Sequence, residues 1–149
     1  MTSKALLAAA AGLLLFVGGG CGNGFVRTDT PGWDTIPLRT GCSLDNAWDR
    51  TLRILEGEFA VARADRAAYA NAGLIETAWL ASHEGQPADD FKVRARVQLR
   101  TDKRALLVCM DAQSFDGQAW LAGQDLRAQA NLEQKLRTAV GAPRSCEYG

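Results

Sequence analysis

The chain is 149 residues long, and its 17 lysines and arginines balance 17 aspartates and glutamates, with one histidine. A neutral chain of this length has enough residues for one hydrophobic core. It lacks the excess of basic residues by which proteins bind nucleic acid or acidic membrane patches, so neither partner is expected on charge alone.

The first twenty residues have the layout of a secretory signal peptide. Lys4 precedes an unbroken run of apolar and small residues from Ala5 to Gly20, which is shorter and less apolar than the roughly 20 residues of a bilayer-spanning helix. The run LLLFVGGGC resembles the bacterial lipobox, in which the cysteine is acylated and becomes the new N-terminus. The resemblance predicts a signal peptide over residues 1–20 and a lipid on Cys21. An ordinary secretory signal with a chance cysteine is the alternative.

The segment after Cys21 is predicted to be a tether. Residues 21–41 contain Gly, Thr and Pro without sustained periodicity, which indicates a flexible, lipid-anchored connection to a single domain over residues 42–149. Gly22, rather than Asp, follows the cysteine. By resemblance to the sorting of bacterial lipoproteins, this implies the outer membrane, with the domain facing the periplasm.

The first helix is predicted over residues 44–56, because Ser43 suits an N-cap and Gly57 follows the last apolar position. Its apolar residues recur at helical spacing: Leu44, Trp48, Leu52 and Leu55. Two short strands follow, and alternation places on one face of each the residues Phe59 and Val61, then Ile75, Thr77 and Trp79. The faces bearing Trp48, Ile75 and Trp79 are predicted to be buried.

FKVRARVQLR, residues 91–100, is the clearest strand in the sequence. Apolar residues alternate with Lys92, Arg94, Arg96, Gln98 and Arg100, which predicts one dry and one wet face. A turn at residues 101–103 leads into RALLVCMDAQ, a more evenly apolar strand expected in the sheet interior. These two strands are predicted to form a hairpin.

After a polar loop with Asp116 and Gly117, residues 124–140 are predicted to form a second helix that ends at Gly141 and Pro143. The order helix, four strands, helix predicts the α+β class. The expected architecture is a two-layer sandwich, in which two helices cover one face of a four-stranded, mainly antiparallel sheet.

The cysteines predict one disulfide. Export would place the chain in an oxidising compartment, where Cys42, Cys109 and Cys146 remain once Cys21 is acylated. Cys42 precedes the first helix and Cys146 follows the second, so antiparallel helices would bring these two together, with Cys109 left as a buried thiol. The sequence has no CxxC pair and no Cys/His cluster, so no metal or cofactor is expected.

Residues 42–81 carry a pattern of a Trp-bearing helix, a strand ending in Asp, and a G-x-I-x-T-x-W strand. The residues are Trp48, Leu52, Leu55, Phe59, Val61, Asp65, Gly73, Ile75, Thr77 and Trp79. This pattern resembles the repeated domain of the BamC (NlpB) lipoproteins, accessories of the β-barrel assembly machine of the outer membrane. The same residues are also explained as an ordinary hydrophobic core.

The basic row Lys92, Arg94, Arg96 and Arg100 is the strongest candidate for a binding surface. If both helices cover the other face, nothing of the fold lies above this row, and it could contact an acidic partner or a lipid head group. The alternative is cross-strand pairing with acids such as Glu76 and Glu58. Under that alternative the row is structural.

Catalytic residues are not predicted. The single histidine, His83, lies in the loop SHEGQPADD with Glu84, Asp89 and Asp90, and no GxSxG, HExxH, P-loop or GxGxxG pattern accompanies it. The expected function is that of a non-catalytic, lipid-anchored envelope protein that binds another protein, as an accessory in outer-membrane protein assembly or envelope maintenance. The alternative is a small hydrolase or ligand-binding lipoprotein that uses the His83 loop.

Overall fold

One antiparallel sheet, covered on one face by two helices, makes up the part of the chain that the computed structural model describes, residues 24–69, 72–81 and 90–142. Its helices are α1 (Leu44–Glu56) and α2 (Leu126–Val140). Within these residues the strands are β1 (Phe25–Arg27), β2 (Asp34–Pro37), β3 (Val61–Tyr69), β4 (Ala72–Thr77), β5 (Phe91–Arg100), β6 (Ala105–Phe115) and β7 (Trp120–Asp125). The strand order is β1-β7-β6-β5-β4-β3, and β2 pairs with β6.

The predicted α+β class is confirmed. The predicted number of strands, four, is wrong, because the described residues contain seven. The additional strands are β1, β2 and β7. Two of them lie in residues 21–41, so the prediction of a tether is wrong from β1 onward. β1 and β2 have only three and four residues, too few for an alternation to be visible in the sequence. The predicted signal peptide, residues 1–20, lies outside the described residues.

Both helices form where their caps and apolar spacing predict. α1 has the predicted bounds, and the Ser43 hydroxyl accepts a hydrogen bond from the Asn46 amide at 3.1 Å. α2 begins two residues later than predicted, because the Asp125 carboxylate caps it. The helices are antiparallel: Arg50 in the middle of α1 donates to the carbonyl of Ala139 near the end of α2 at 3.0 Å. Glu58, just after the end of α1, contacts Lys135, which lies earlier in α2.

The core lies between the helices and the sheet. The alternation predicted for β5 is confirmed, and its odd-numbered residues are all buried. Neighbouring positions of β6 continue this apolar surface, and the two helices cover it. The principal core residues are Phe91, Val93, Ala95, Val97, Leu99, Leu106, Val108, Met110, Ala112, Trp48, Leu55, Leu132 and Leu136.

Trp79 lies on the face opposite to the one predicted. Ile75 of β4 lies opposite Val97 of β5, but further along, Leu80 rather than Trp79 lies opposite Val93. One extra residue has entered this side of the pairing, as in a β-bulge, and side chains beyond such an insertion change face. Trp79 therefore points away from the helices.

Gly73 allows the indole of Trp48 to lie directly against β4. A Cβ atom on Gly73 would come within 2.4 Å of Cζ3 of Trp48. We expect Gly73→Ala to lower the free energy of unfolding by about 1–3 kcal/mol, the usual range for overpacking a core. The control Gly57→Ala places its Cβ 3.4 Å from the nearest atom and should leave urea unfolding almost unchanged. Equal midpoints for the two variants would contradict the close packing of Trp48.

A buried polar network fills the gap where β2 and β7 follow one another along the same edge of β6. The Met110 amide, which faces this gap, donates to Oε1 of Gln129 at 2.9 Å. Nε2 of Gln129 donates to Asp34 at 2.7 Å, and Gln124 exchanges two hydrogen bonds with the backbone of Gly32. Side chains thus replace the backbone partner that a continuous neighbouring strand would supply.

Candidate functional site

The face of the sheet away from the helices, called here the open face, carries the even-numbered side chains of β5. Three of these side chains are cations that lie over tryptophan rings. The three cations and the three tryptophans together are called the cation–tryptophan row. Its members are Lys92, Arg94, Arg96, Trp33, Trp79 and Trp120. The cations were predicted on a wet face, which is confirmed. The indoles were not predicted as their partners.

Each cation of the row stacks on at least one indole. Nζ of Lys92 lies 4.4 Å from the ring centroid of Trp120 and 5.4 Å from that of Trp79. The Arg94 guanidinium lies 4.8 Å from the Trp79 centroid. These distances are within the range of favourable cation–π contact, about 6 Å, so the long basic side chains are held in place. A fourth contact, between Arg96 and Trp33 at 4.8 Å, extends the row toward β2.

A single buried carboxylate joins the two arginines of the row. Asp111 lies directly opposite Arg94 in the β5–β6 register, and its side chain is only 8% exposed. Nε of Arg94 donates to Oδ2 of Asp111 at 2.9 Å, and Nη2 of Arg96 donates to Oδ1 at 2.7 Å. Arg94 also lies 3.5 Å from Glu76. The predicted alternative of cross-strand pairing is therefore correct for Glu76, with Asp111 as the stronger partner.

The fourth predicted member of the basic row, Arg100, behaves differently. Arg100 forms an exposed, two-pronged pair with Asp102 in the hairpin turn, and none of the cation–π contacts among the described residues involves it. This pairing lowers the pKa of Asp102. Glu58 does not pair with the row, because it contacts Lys135 of α2 on the helical side of the molecule. Arg100 is thus excluded from the cation–tryptophan row.

A groove of about 230 Å³ runs beside Asp111 on the open face. Residues 28–33, which connect β1 to β2, line it through Thr28, Asp29 and Pro31, together with Trp79 and Arg94. The prediction that nothing of the fold lies above the basic row is therefore wrong. The segment taken for a tether crosses this face because β1 and β2 pair with different strands, β7 and β6.

Burial and hydrogen bonding shift the pKa of Arg96 in opposite directions. Burial alone would lower its pKa, but the hydrogen bond and the charge of Asp111 outweigh it, so the pKa of Arg96 is raised from its ordinary value. Arg96 also donates to the sulfur of Cys109 at 3.7 Å. Arg96 is therefore a permanently charged group with partners on its sheet side and an indole above it.

Cys109 is a buried free thiol, as predicted. Burial, reinforced by the charge of Asp111, raises the pKa of this thiol to about 12. Cys42 is half-buried beside the start of α1. Cys146 lies outside the described residues, so the Cys42–Cys146 disulfide stays a prediction. The antiparallel helices that motivated it are present.

Folded, reduced protein at pH 8 is expected to leave Cys109 unmodified by iodoacetamide, because the thiolate is the reactive species and a pKa of about 12 leaves almost none of it. Denatured protein should be labelled. The folded protein holds this proton more tightly than an ordinary thiol of pKa 9.0 does. The contribution of the Cys109 thiol to the free energy of unfolding is therefore complete below about pH 9 and is lost as pH rises toward 12. Peptide mass mapping measures the labelling, and rapid labelling of native Cys109 would contradict its burial.

The alternative site at His83 lies outside the described residues, as do Glu84 and Asp89. In the described ranges no group of three or more His, Cys, Asp or Glu side chains could hold a metal ion. No helix in those ranges is long and apolar enough to cross a membrane. The predicted lipid site, Cys21, also falls outside them.

The fold and the open face define a two-layer α+β protein whose outward sheet surface is built from cations and tryptophans. No protein-family model, curated protein sequence or solved structure matches the chain.

Proposed function

We propose that this protein is a non-catalytic, lipid-anchored envelope protein that binds a protein partner through the cation–tryptophan row. The observation that carries the proposal is the alignment of three cations with three indoles on the sheet face opposite the helices. Tryptophan and arginine are the residue types most enriched among the residues that dominate protein interfaces. The row concentrates both on one surface.

The row is also ordered before any partner binds. Asp111 accepts hydrogen bonds from Arg94 and Arg96, and indoles stack on the cations. Binding usually requires the loss of about 0.5–1.5 kcal/mol of side-chain freedom for each flexible residue that is immobilised. Side chains already held in one arrangement avoid most of that loss, which supports recognition by this face.

The chemistry of the row favours an acidic partner surface. Lys92 stacks on two indoles and, within the described residues, no carboxylate lies within salt-bridge distance of it. Arg94 and Arg96 are 29% and 24% exposed, so each retains a solvent-facing side despite pairing with Asp111. A carboxylate on a partner could therefore form an ion pair with Lys92, and further carboxylates could contact the exposed parts of Arg94 and Arg96.

The anchor and the location belong to the same proposal. The resemblance of LLLFVGGGC to a lipobox supports acylation of Cys21, and Gly22 after it supports the outer membrane. The BamC-like pattern over residues 42–81 supports an accessory role in outer-membrane protein assembly or envelope maintenance. Acylation predicts that Cys21→Ser moves the protein from the membrane fraction to the soluble fraction. Serine has no thiol to carry the lipid, and stable anchoring needs more than one acyl chain.

Crosslinking in intact cells followed by purification from detergent tests the binding surface. Lys92→Glu is expected to reduce crosslinks to the envelope partner by about tenfold or more, because like-charge contacts within an interface cost several kcal/mol. Trp79→Ala should act in the same direction by removing a ring that orients two cations. Both proteins should still fractionate with membranes.

The matched control is Lys103→Glu, the same charge reversal at an exposed position in the turn between β5 and β6. It should crosslink like the unmodified protein. Full crosslinking by both Lys92→Glu and Trp79→Ala would exclude the open face as the contact surface. Equal losses for Lys92→Glu and Lys103→Glu would indicate a response to net charge rather than to this surface.

A further inference from the structure

The point at which the chain enters the fold is held tightly against the start of α2. The Gly24 carbonyl accepts a hydrogen bond from the Leu126 amide at 2.9 Å. Gly24 has a positive φ of 75°, and a Cβ atom there would lie 2.6 Å from Cβ of Arg127. Only glycine adopts this conformation so close to another backbone without strain. The path of the chain toward Cys21 therefore starts from one defined place on the surface.

Two exposed apolar side chains lie beside that place. Among the described residues, the large hydrophobic side chains that are exposed are Val26 (45%), Trp120 (41%) and Leu126 (49%). Val26 is two residues after Gly24 in β1, and Leu126 donates its amide to Gly24. Trp120 lies at the other end of β7 and belongs to the cation–tryptophan row. Neighbouring exposed apolar groups such as Val26 and Leu126 indicate a contact surface.

We propose that the edge formed by β1 and the start of α2 rests on the membrane surface, with Val26 and Leu126 inserted among the lipid head groups. The proposal rests on acylation of Cys21. Only two residues separate Cys21 from Gly24, and three extended peptide steps span at most about 11 Å. A lipid on Cys21 therefore holds this edge of the sheet at the bilayer.

The charges at this edge suit a phospholipid surface. Arg27 and Arg127 flank the apolar pair and are exposed, and arginines beside inserted apolar groups meet lipid phosphates. Asp116 lies close enough to Arg27 for that charge to help lower the pKa of the aspartate, after its hydrogen bonds from Ala119 and Gln118. The edge is thus mixed rather than strongly basic, so the apolar contacts and the acyl chains carry most of the attachment.

A second copy of the chain is a weaker candidate for covering this edge. β1 has only three residues, and a stable protein interface buries about 800 Å² on each partner. In contrast, lipid contact requires only shallow insertion of a few apolar side chains. With the β1 edge on the bilayer, the sheet stands upright and its open face remains accessible to a partner in the periplasm.

Fluorescence quenching in vesicles tests this orientation. Full-length mature protein, purified in detergent, is reconstituted in phosphatidylethanolamine–phosphatidylglycerol vesicles that contain nitroxide-labelled lipid. A fluorescent non-natural amino acid replaces Val26, Leu126 or, as the control, Ala62, which is exposed on β3 at the far edge of the sheet. Quenching is expected to be several-fold stronger at positions 26 and 126 than at position 62.

Each other outcome overturns the orientation. Equal quenching at the three positions in vesicle-bound protein shows that the β1 edge does not face the lipid, while acylation stands. Protein that fails to float with the vesicles shows that the anchor itself is wrong. Probes at positions 26 and 126 that are unquenched by lipid, yet transfer energy between copies, assign this edge to self-association.

Discussion

Arg94→Glu, Arg96→Glu protein is expected to be less stable than the unmodified protein by about 3–5 kcal/mol, the range for breaking a buried ion pair by removing its partner. The reason is Asp111, whose carboxylate is 8% exposed and takes hydrogen bonds from both guanidinium groups. Reversal removes those donors and adds two negative charges beside it. The Arg94 and Arg96 side chains are 29% and 24% exposed, so solvent screening favours the lower end of the range.

Chemical denaturation monitored by circular dichroism measures this loss, with Arg100→Glu as the control. Arg100 lies on the same strand face but pairs with exposed Asp102, and exposed pairs contribute only about 0–1 kcal/mol. Similar unfolding midpoints for the double variant and the control would show that Asp111 does not depend on the arginines. On the sequence alone, the row has nothing of the fold above it, and reversal of two exposed charges would change stability little. The buried position of Asp111 reverses that expectation.

Gln129→Leu is expected to destabilise the domain by about 2–3 kcal/mol, because a buried donor left without a partner costs about 1–3 kcal/mol and the side chain also bonds Asp34. The group left without a partner is the Met110 amide, which faces the gap between β2 and β7. Leucine fills a similar volume, so the loss reports the missing hydrogen bonds rather than a cavity. Hydrogen exchange at Met110 should accelerate accordingly.

Gln134→Leu provides the control on the same helix. Gln134 is exposed, and substitutions at such positions usually change stability by less than about 0.5 kcal/mol. If Gln129→Leu unfolds at the same denaturant concentration as Gln134→Leu, the network is not needed to join β2 and β7 along β6. If only Gln129→Leu is affected, the network is confirmed as the element that closes the gap.

The elements predicted correctly are those with long, regular patterns. α1 and β5 have the predicted bounds, because thirteen residues at helical spacing and ten in strict alternation leave little ambiguity. The short strands β1, β2 and β7 were missed. Three or four residues do not establish a period, and β7 contains Gly123, which approaches the Phe25 ring too closely for any side chain. The strands β1, β2 and β7 form because they pair with other strands of the sheet, which a local pattern does not show.

The candidate site could be predicted only in part, for the same reason. Alternation places Lys92, Arg94 and Arg96 on one face whatever the topology. Their partners Trp33 and Asp111 are remote in sequence, and Trp79 changes face through a bulge that the sequence does not mark. A signal for Asp111 was present, since it is the lone acid in the apolar run of β6.

By itself, the sequence determined the α+β class, both helices, the β5–β6 hairpin and the wet face of β5, because periodicity and capping act over neighbouring residues. Only the tertiary structure decided that β1 and β2 join the sheet, that Asp111 is buried beside two arginines, and that three indoles stack on the cations. These features depend on register and on contacts between distant segments. Such contacts form when the whole chain buries its core, so no local pattern specifies them.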